Sequence, residues 1–191
     1  MTRADGGERG PAMRVGHGYD AHPFAGGDPS GRTLVLGGVR FPGERPLVGH
    51  SDADVVAHAV IDAMLSAAGL GDIGTQFPDS DERWRDADSI EMLRQVSALL
   101  AENGWLLANA DCTVICDRPM IAPHRDQMQH RLSSAAGGPV TVCGKRTEGL
   151  GNANGIVAHA VALLTARGGQ QSAQLASGEQ PSVLDEGGSE R

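Results

Sequence analysis

Asp20-Ala21-His22 places two metal-ligating side chains two residues apart. In an extended segment, residues i and i+2 point to the same face, so both can reach one ion. His58 lies in a stretch that reads as a helix and can supply a third ligand from across a loop. Two imidazoles and a carboxylate with an open fourth position suit a catalytic zinc, since structural zinc sites are normally closed by cysteines. Asp62 follows His58 by one helical turn. That spacing predicts that its carboxylate accepts from the imidazole nitrogen facing away from the metal. Taken singly, these pieces are ordinary. Asp-x-His is a common pattern, and a helical histidine among alanines and valines is more often a satisfied core residue.

Two further segments have the composition of ligand loops. His50-Ser51-Asp52 just precedes the helix. Free N–H groups and a positive dipole end there could hold an anion, with Ser51 adding a hydroxyl and His50 a cation. Downstream, Gly69-Leu70-Gly71-Asp72-Ile73-Gly74 is a Gly-dense turn presenting one carboxylate, followed by Phe77-Pro78-Asp79. A carboxylate held in such a turn can bind sugar-like hydroxyls. The plainer alternatives are a capping segment and a loop that needs glycine for positive φ. Cys112 and Cys116 read as small buried apolar residues, and Cys143 completes a set too small for a disulfide framework. His17, His124, His130 and His159 have no neighbour at ligand spacing.

The elements that must position these groups interleave strands and helices. Arg14–Asp20 and Thr33–Val39 are strand-like, the second broken by Gly37-Gly38. Asp54–Ala68 has apolar residues at helical spacing, with Ser51 or Asp52 as cap. Ser89–Glu102 is a second helix, with Asp88 and Glu91 as a capping pair and Gly104 as its stop. Trp105–Cys116 is β-type, Pro123–Ala136 a third helix, Val140–Cys143 a strand, and Asn154–Ala166 a last apolar helix. The expected fold is α+β: one domain, a mixed β-sheet packed by helices on one face. Residues 69–87 and 144–153 are the long loops where function is expected.

Composition bounds the class. Of 191 residues, 24 are acidic and 16 basic, a net charge of −8, and only 3% are aromatic. An acidic chain with few stacking platforms is a poor nucleic-acid binder. No uncharged apolar run approaches a membrane span, and residues 1–11 lack the apolar core of a signal peptide. A reduced, cytoplasmic setting is expected. Residues 1–12 and 169–191 read as disordered extensions around a domain at 13–168, since neither carries enough branched apolar residues to offset its ordering entropy.

Together the motifs are specific. Arg14-Val15-Gly16-His17-Gly18-Tyr19-Asp20-Ala21-His22, Leu36-Gly37-Gly38-Val39, Gly49-His50-Ser51-Asp52-Ala53-Asp54-Val55 with His58, and Gly71-Asp72-Ile73-Gly74 with Phe77-Pro78-Asp79 closely resemble the 2-C-methyl-D-erythritol 2,4-cyclodiphosphate synthase family. The resemblance implies a homotrimer with active sites between subunits. It implies ring closure of 4-diphosphocytidyl-2-C-methyl-D-erythritol 2-phosphate, in which the 2-phosphate attacks the β-phosphorus and CMP leaves. Asp20, His22 and His58 match the zinc ligands, and Asp20 and His22 also border the substrate. His50 and Ser51 match diphosphate contacts, with His50 a transition-state stabiliser. Asp72, Gly74 and the stretch Phe77 to Asp81, including Asp79, match the methylerythritol pocket. Glu148 matches the ligand of a second ion, magnesium or manganese. Such a reaction needs positioning and charge neutralisation rather than a side-chain nucleophile.

The chain departs from the family pattern on the nucleotide side. Gly144-Lys145-Arg146-Thr147-Glu148 stands where the family usually has Ala-Thr-Thr-Thr-Glu, so Arg146 replaces a threonine assigned to transition-state and phosphate contacts. The resemblance implies that Lys145, Arg146 and Thr147 are the corresponding substrate contacts here. Arg118-Pro119-Met120 lacks the lysine of the cytidine loop. Asn152-Ala153-Asn154-Gly155 is about three residues shorter than the family's turn and lacks its phenylalanine, arginine and glutamate. Three readings follow: the ordinary synthase, a paralogue acting on another nucleotide-activated or multiply phosphorylated substrate, or a non-catalytic relative. The intact Asp20, His22 and His58 set weighs against the last.

Overall fold

Strand β1 (Met13–Pro23) buries Gly16 and Gly18 and exposes the alternating Val15, His17 and Tyr19. The same alternation runs through β4 (Trp105–Ile115), β5 (Val140–Lys145) and β6 (Gly155–Ala166). These four strands form one sheet in the order β1-β6-β4-β5. β6 is antiparallel to both neighbours, and β4 and β5 run parallel. A separate hairpin joins β2 (Leu34–Leu36) to β3 (Val39–Phe41), turning at Gly37-Gly38. The computed structural model describes residues 12–26, 31–149 and 154–167. The expected extensions at 1–12 and 169–191, and the short turn at 152–155, lie outside these residues apart from Ala12, Asn154 and Gly155.

Helices cover one face of the sheet. α1 (Val55–Ala68) lies across β1 and β6, α3 (Ser89–Glu102) packs on α1, and α4 (Arg125–Ala136) packs on α3 and β5. A short α2 (Ile73–Gln76) follows α1. The core lies between α1 and the small, helix-facing residues Ala158, Ala160 and Ala162 of β6 and Cys112 and Val114 of β4, all essentially buried. No helix among the described residues is long and apolar enough to cross a membrane.

One expected element is wrong. Asn154–Ala166 is not a helix but the interior strand β6, hydrogen-bonded on both edges. Its helix-facing positions (Ile156, Ala158, Ala160, Ala162, Leu164) and half of those facing away (Val157, Val161, Leu163) are apolar, so the sequence hides the period of two. Smaller revisions concern termini. Thr33–Val39 is the β2–β3 hairpin, and residues 122–124 form a 3₁₀ turn before α4. Asp88 caps α3 by accepting from the Ile90 N–H at 2.8 Å, while Glu91 pairs with Arg94 rather than completing a capping pair.

The cap of α1 is Asp54, not Ser51 or Asp52. Its fully buried carboxylate accepts four backbone N–H groups, from Val56 and Ala57 at 3.1 Å and from Gly37 and Gly38 at 2.8 and 2.6 Å. Asp54 thus ties the hairpin turn to the first turn of α1. Burial and the nearby Asp52 charge push its carboxyl up while these N–H groups pull it back, and together the four bonds fix the loop carrying His50 and Ser51.

Candidate active site

β1 ends beside the first turns of α1, and glycine allows the approach. A Cβ built on Gly18 would lie 2.0 Å from the Ala59 carbonyl oxygen, and one on Gly16 would lie 2.2 Å from that of Ala63. Asp20 and His22 continue the face that bears these glycines, and His58 projects from α1 towards them. Three donor atoms converge there. Asp20 Oδ2 is 3.0 Å from His22 Nε2 and 2.9 Å from His58 Nδ1, and the two nitrogens are 3.3 Å apart. Ligands bound at about 2.0–2.1 Å in a tetrahedron stand about 3.3 Å from one another, so this triangle has the size of one face of a zinc site.

The imidazoles are oriented for that role. The Val48 carbonyl lies 2.7 Å from His22 Nδ1 and can only accept, so Nδ1 carries the hydrogen and Nε2 is left to face the triangle. Burial pushes the Asp20 carboxyl up, but hydrogen bonds and charge from His22 and His58 outweigh it and hold it far below the usual carboxylate range. Burial lowers the affinity of His22 for a proton, while Asp20 and the Val48 carbonyl raise it further, for a net upward shift. A strongly anionic carboxylate between two imidazoles is a cation site in waiting.

The far side of His58 differs from expectation. Its Nε2 is 2.9 Å from Ser89 Oγ and 3.1 Å from Ser51 Oγ. Asp62 accepts instead from the Ile73 N–H at 2.7 Å, steadying the start of α2, and burial raises its carboxyl. The i+4 spacing puts Asp62 and His58 on one side of the helix, but the imidazole leans towards the start of α3. Ser89 and Asp52 carried no signal of this in sequence beyond their place near helix starts.

A cavity of about 260 Å³ opens onto the triangle, lined also by His50, Ser51, Phe77 and Asp79. His50 Nε2 rests 3.4 Å from the Asp81 carbonyl oxygen. Arg32 straps this loop, donating to the carbonyls of Gly49 and Ser51 and pairing with Asp86 at 2.9 Å. Trp84 forms a wall that the sequence did not reveal, meeting Phe77 edge-on at 4.8 Å. Asp72, Gly74 and Asp81 do not line the cavity. Asp72 holds the Thr75 hydroxyl and N–H at 2.6 and 2.8 Å, which lowers its carboxyl, and Asp81 is committed to Arg83.

The nucleotide-side residues gather elsewhere. Arg146 lines a cavity of about 470 Å³ with Arg40, Arg118, Met120, His124 and Asp117, and Lys145 borders a smaller one of about 140 Å³ beside it. Thr147 donates its hydroxyl and N–H to Asp117 at 2.8 and 3.1 Å. Glu148 is exposed, with φ of 52°, and lines none of these cavities. The metal-side and arginine-lined cavities share no residue. Burial raises the Cys112 thiol to about 12 and that of Cys116 to about 11, in keeping with apolar packing rather than ligation. Contrary to their spacing in sequence, His17 and His159 meet across β1 and β6, with Nε2 and Nδ1 3.4 Å apart on the exposed face.

The chain is similar to known proteins over most of its length. A 2-C-methyl-D-erythritol 2,4-cyclodiphosphate synthase of Rubrobacter xylanophilus is 55% identical over 158 residues, covering 79% of this chain and 94% of its own. One from Pseudomonas aeruginosa is 48% identical over 161 residues, covering 81% of this chain and all of its own. The solved CDP-bound form of a 2C-methyl-D-erythritol-2,4-cyclodiphosphate synthase superposes with a TM-score of 0.71 at 39% identity, over 79% of this chain and 99% of that one. The YgbB family model matches residues 13–165, from the first residue of β1 almost to the end of β6. The chain belongs to the YgbB family, that of the 2-C-methyl-D-erythritol 2,4-cyclodiphosphate synthases.

Proposed function

We propose that this chain converts 4-diphosphocytidyl-2-C-methyl-D-erythritol 2-phosphate to 2-C-methyl-D-erythritol 2,4-cyclodiphosphate and CMP. The observation that carries the reading is the Asp20, His22 and His58 donor triangle at the mouth of a cavity flanked by His50 and Ser51. A 2-phosphate oxygen forms a bond to the β-phosphorus, and the bond from that phosphorus to the bridging oxygen breaks. CMP departs with the bridging oxygen, so no water is consumed. His50 and Ser51 donate to the phosphate oxygens, while Phe77 and Asp79 pack and hold the methylerythritol chain. Holding nucleophile and target in one cavity turns an encounter between anions into an intramolecular step.

Asp20, His22 and His58, whose three donor atoms converge, would hold zinc; the resemblance gives magnesium or manganese to Glu148, a single exposed carboxylate outside the cavities. When bound, such ions would supply Lewis-acid neutralisation of the phosphates. Lys145 and Arg146 bring cationic side chains to the nucleotide phosphates. The family resemblance implies a homotrimer, in which a neighbouring copy would bring its arginine-lined cavity to this donor triangle; that two cavities of one chain share no residue fits such an arrangement. A different, more highly phosphorylated nucleotide is the second reading. It is favoured by the Arg40, Arg118 and Arg146 side chains around one cavity.

The direct test is CMP release with zinc and magnesium present, the organic product being identified by mass. The expected product is the cyclic diphosphate. Zinc-loaded protein that releases no CMP overturns the assignment and points to the second reading. Glu148→Gln is expected to raise the magnesium concentration for half-maximal activity roughly tenfold, about 1.4 kcal/mol, with zinc content unchanged. Superimposable magnesium titrations would remove Glu148 from the metal set.

A further inference from the structure

We infer that Asp52 and Ser89 form a relay that fixes the hydrogen of His58 on Nε2, making Nδ1 the permanent ligand atom and freeing the Ser51 hydroxyl for substrate. The inference deepens the zinc-site reading and rests on it. Asp52 is a carboxylate with only acceptor atoms. Its Oδ1 is 2.5 Å from Ser89 Oγ, and its Oδ2 accepts the Ser89 backbone N–H at 3.2 Å. Ser89 has one hydroxyl hydrogen, and that short contact takes it. Towards His58 Nε2, 2.9 Å away, Ser89 can therefore only accept. Nε2 must carry the hydrogen, and Nδ1 is the nitrogen left to face Asp20 Oδ2 and His22 Nε2, where an ion would bind.

The arrangement is built into the fold rather than being a surface accident. Ser89 is fully buried and is the first residue of α3, and Asp52 sits in the loop locked by Asp54. The Asp52 N–H donates to the Ala87 carbonyl at 3.0 Å, so the loop and the start of α3 are joined by main chain as well. The relay also decides what Ser51 does. Ser51 Oγ accepts the Ala53 N–H at 3.3 Å and stands 3.1 Å from His58 Nε2. A nitrogen that already bears hydrogen offers no lone pair to Ser51. The Ser51 hydroxyl hydrogen is left to point into the cavity, where a phosphate oxygen is its natural acceptor. His22 reaches the same state by a simpler route, through the Val48 carbonyl. Each imidazole thus has its outward nitrogen committed, one to a carbonyl and one to a hydroxyl backed by a carboxylate.

Ser89→Ala removes the acceptor and keeps the bond from the residue 89 backbone N–H to Asp52. Asp52→Asn keeps the shape but lets the amide donate to Ser89, which can then donate to Nε2 and push the hydrogen to Nδ1. Zinc affinity, measured by competition with a chromophoric chelator, is expected to fall about 10- to 100-fold in both. In zinc-loaded wild-type protein with ¹⁵N-labelled histidine, the His58 Nε2 hydrogen is expected as a resonance exchanging slowly with water. It is expected to exchange rapidly in Ser89→Ala. Neither readout needs substrate. Zinc affinity and Nε2 exchange unchanged in both folded variants overturn the relay alone, whereas wild-type protein that binds no zinc overturns the ligand reading and the relay together. If Ser89→Ala fails to fold, Asp52→Asn decides the matter, and unaltered zinc affinity there overturns the relay.

Discussion

Replacing His58 by alanine is expected to strip zinc from the protein and reduce CMP release by about a thousandfold or more, roughly 4 kcal/mol of transition-state stabilisation. The donor triangle loses one corner, and Asp20 with His22 alone offers a two-point chelate open to water. The helix itself has little reason to fail. Its N-terminus is held by Asp54, its C-terminus by Gly69 in the left-handed region, and its apolar contacts by Val56, Ile61 and Met64. Ser51 and Ser89 lose a partner but face the cavity left by the imidazole, where water replaces it. Zinc per chain by elemental analysis and the thermal melt, taken together, separate loss of a ligand from loss of fold. A zinc content equal to that of the unaltered protein would remove His58 from the ligand set.

The donor triangle was legible in sequence because each member lies in an element with a clear period. Asp20 and His22 share a strand face two residues apart, and His58 sits among apolar residues at helical spacing, followed by Gly69. The ends of α3 were legible for the same reason, through Asp88 and Gly104. What escaped are contacts whose partners are distant in sequence. Ser89 reaches His58 across 31 residues, His17 reaches His159 across 142, and the hairpin turn reaches Asp54 across 17. Asp62 shows the limit of local reasoning: i+4 puts two side chains on one side of a helix but does not say which way an imidazole leans. β6 shows another limit. A strand buried against helices on one face and apolar on much of the other has no polar alternation to reveal its period. Its three helix-facing alanines are the residue that most favours a helix in isolation, and tertiary packing of α1 overrides that preference.

That packing depends on residues with no side chain at all, and Gly18→Ala is expected to be among the most damaging single changes in the protein. The new methyl carbon would stand 2.0 Å from the Ala59 carbonyl oxygen and 2.6 Å from the Ala63 nitrogen, where ordinary contacts begin near 3.4 Å. Both obstacles are helix backbone, so no side-chain rotation relieves them. Either α1 retreats from β1 by more than an ångström, or β1 gives way. A retreat opens the interface between β1 and α1, at a cost of about 3 kcal/mol or more. For a chain of this size, that corresponds to a melting temperature lower by about 6–12 °C. The damage reaches the metal site by direct geometry. His58 is the chain neighbour of Ala59, and Asp20 lies two residues beyond Gly18 on the same strand face, so separating helix from strand pulls Nδ1 away from Oδ2. A triangle with edges of 2.9–3.3 Å tolerates no such shift and still closes on one ion. Zinc affinity and stability should therefore fall together in Gly18→Ala, whereas His58→Ala loses zinc with most of its stability kept. A Gly18→Ala protein that melts within 2 °C of the unaltered chain and binds zinc equally tightly would show that α1 does not rest on this glycine.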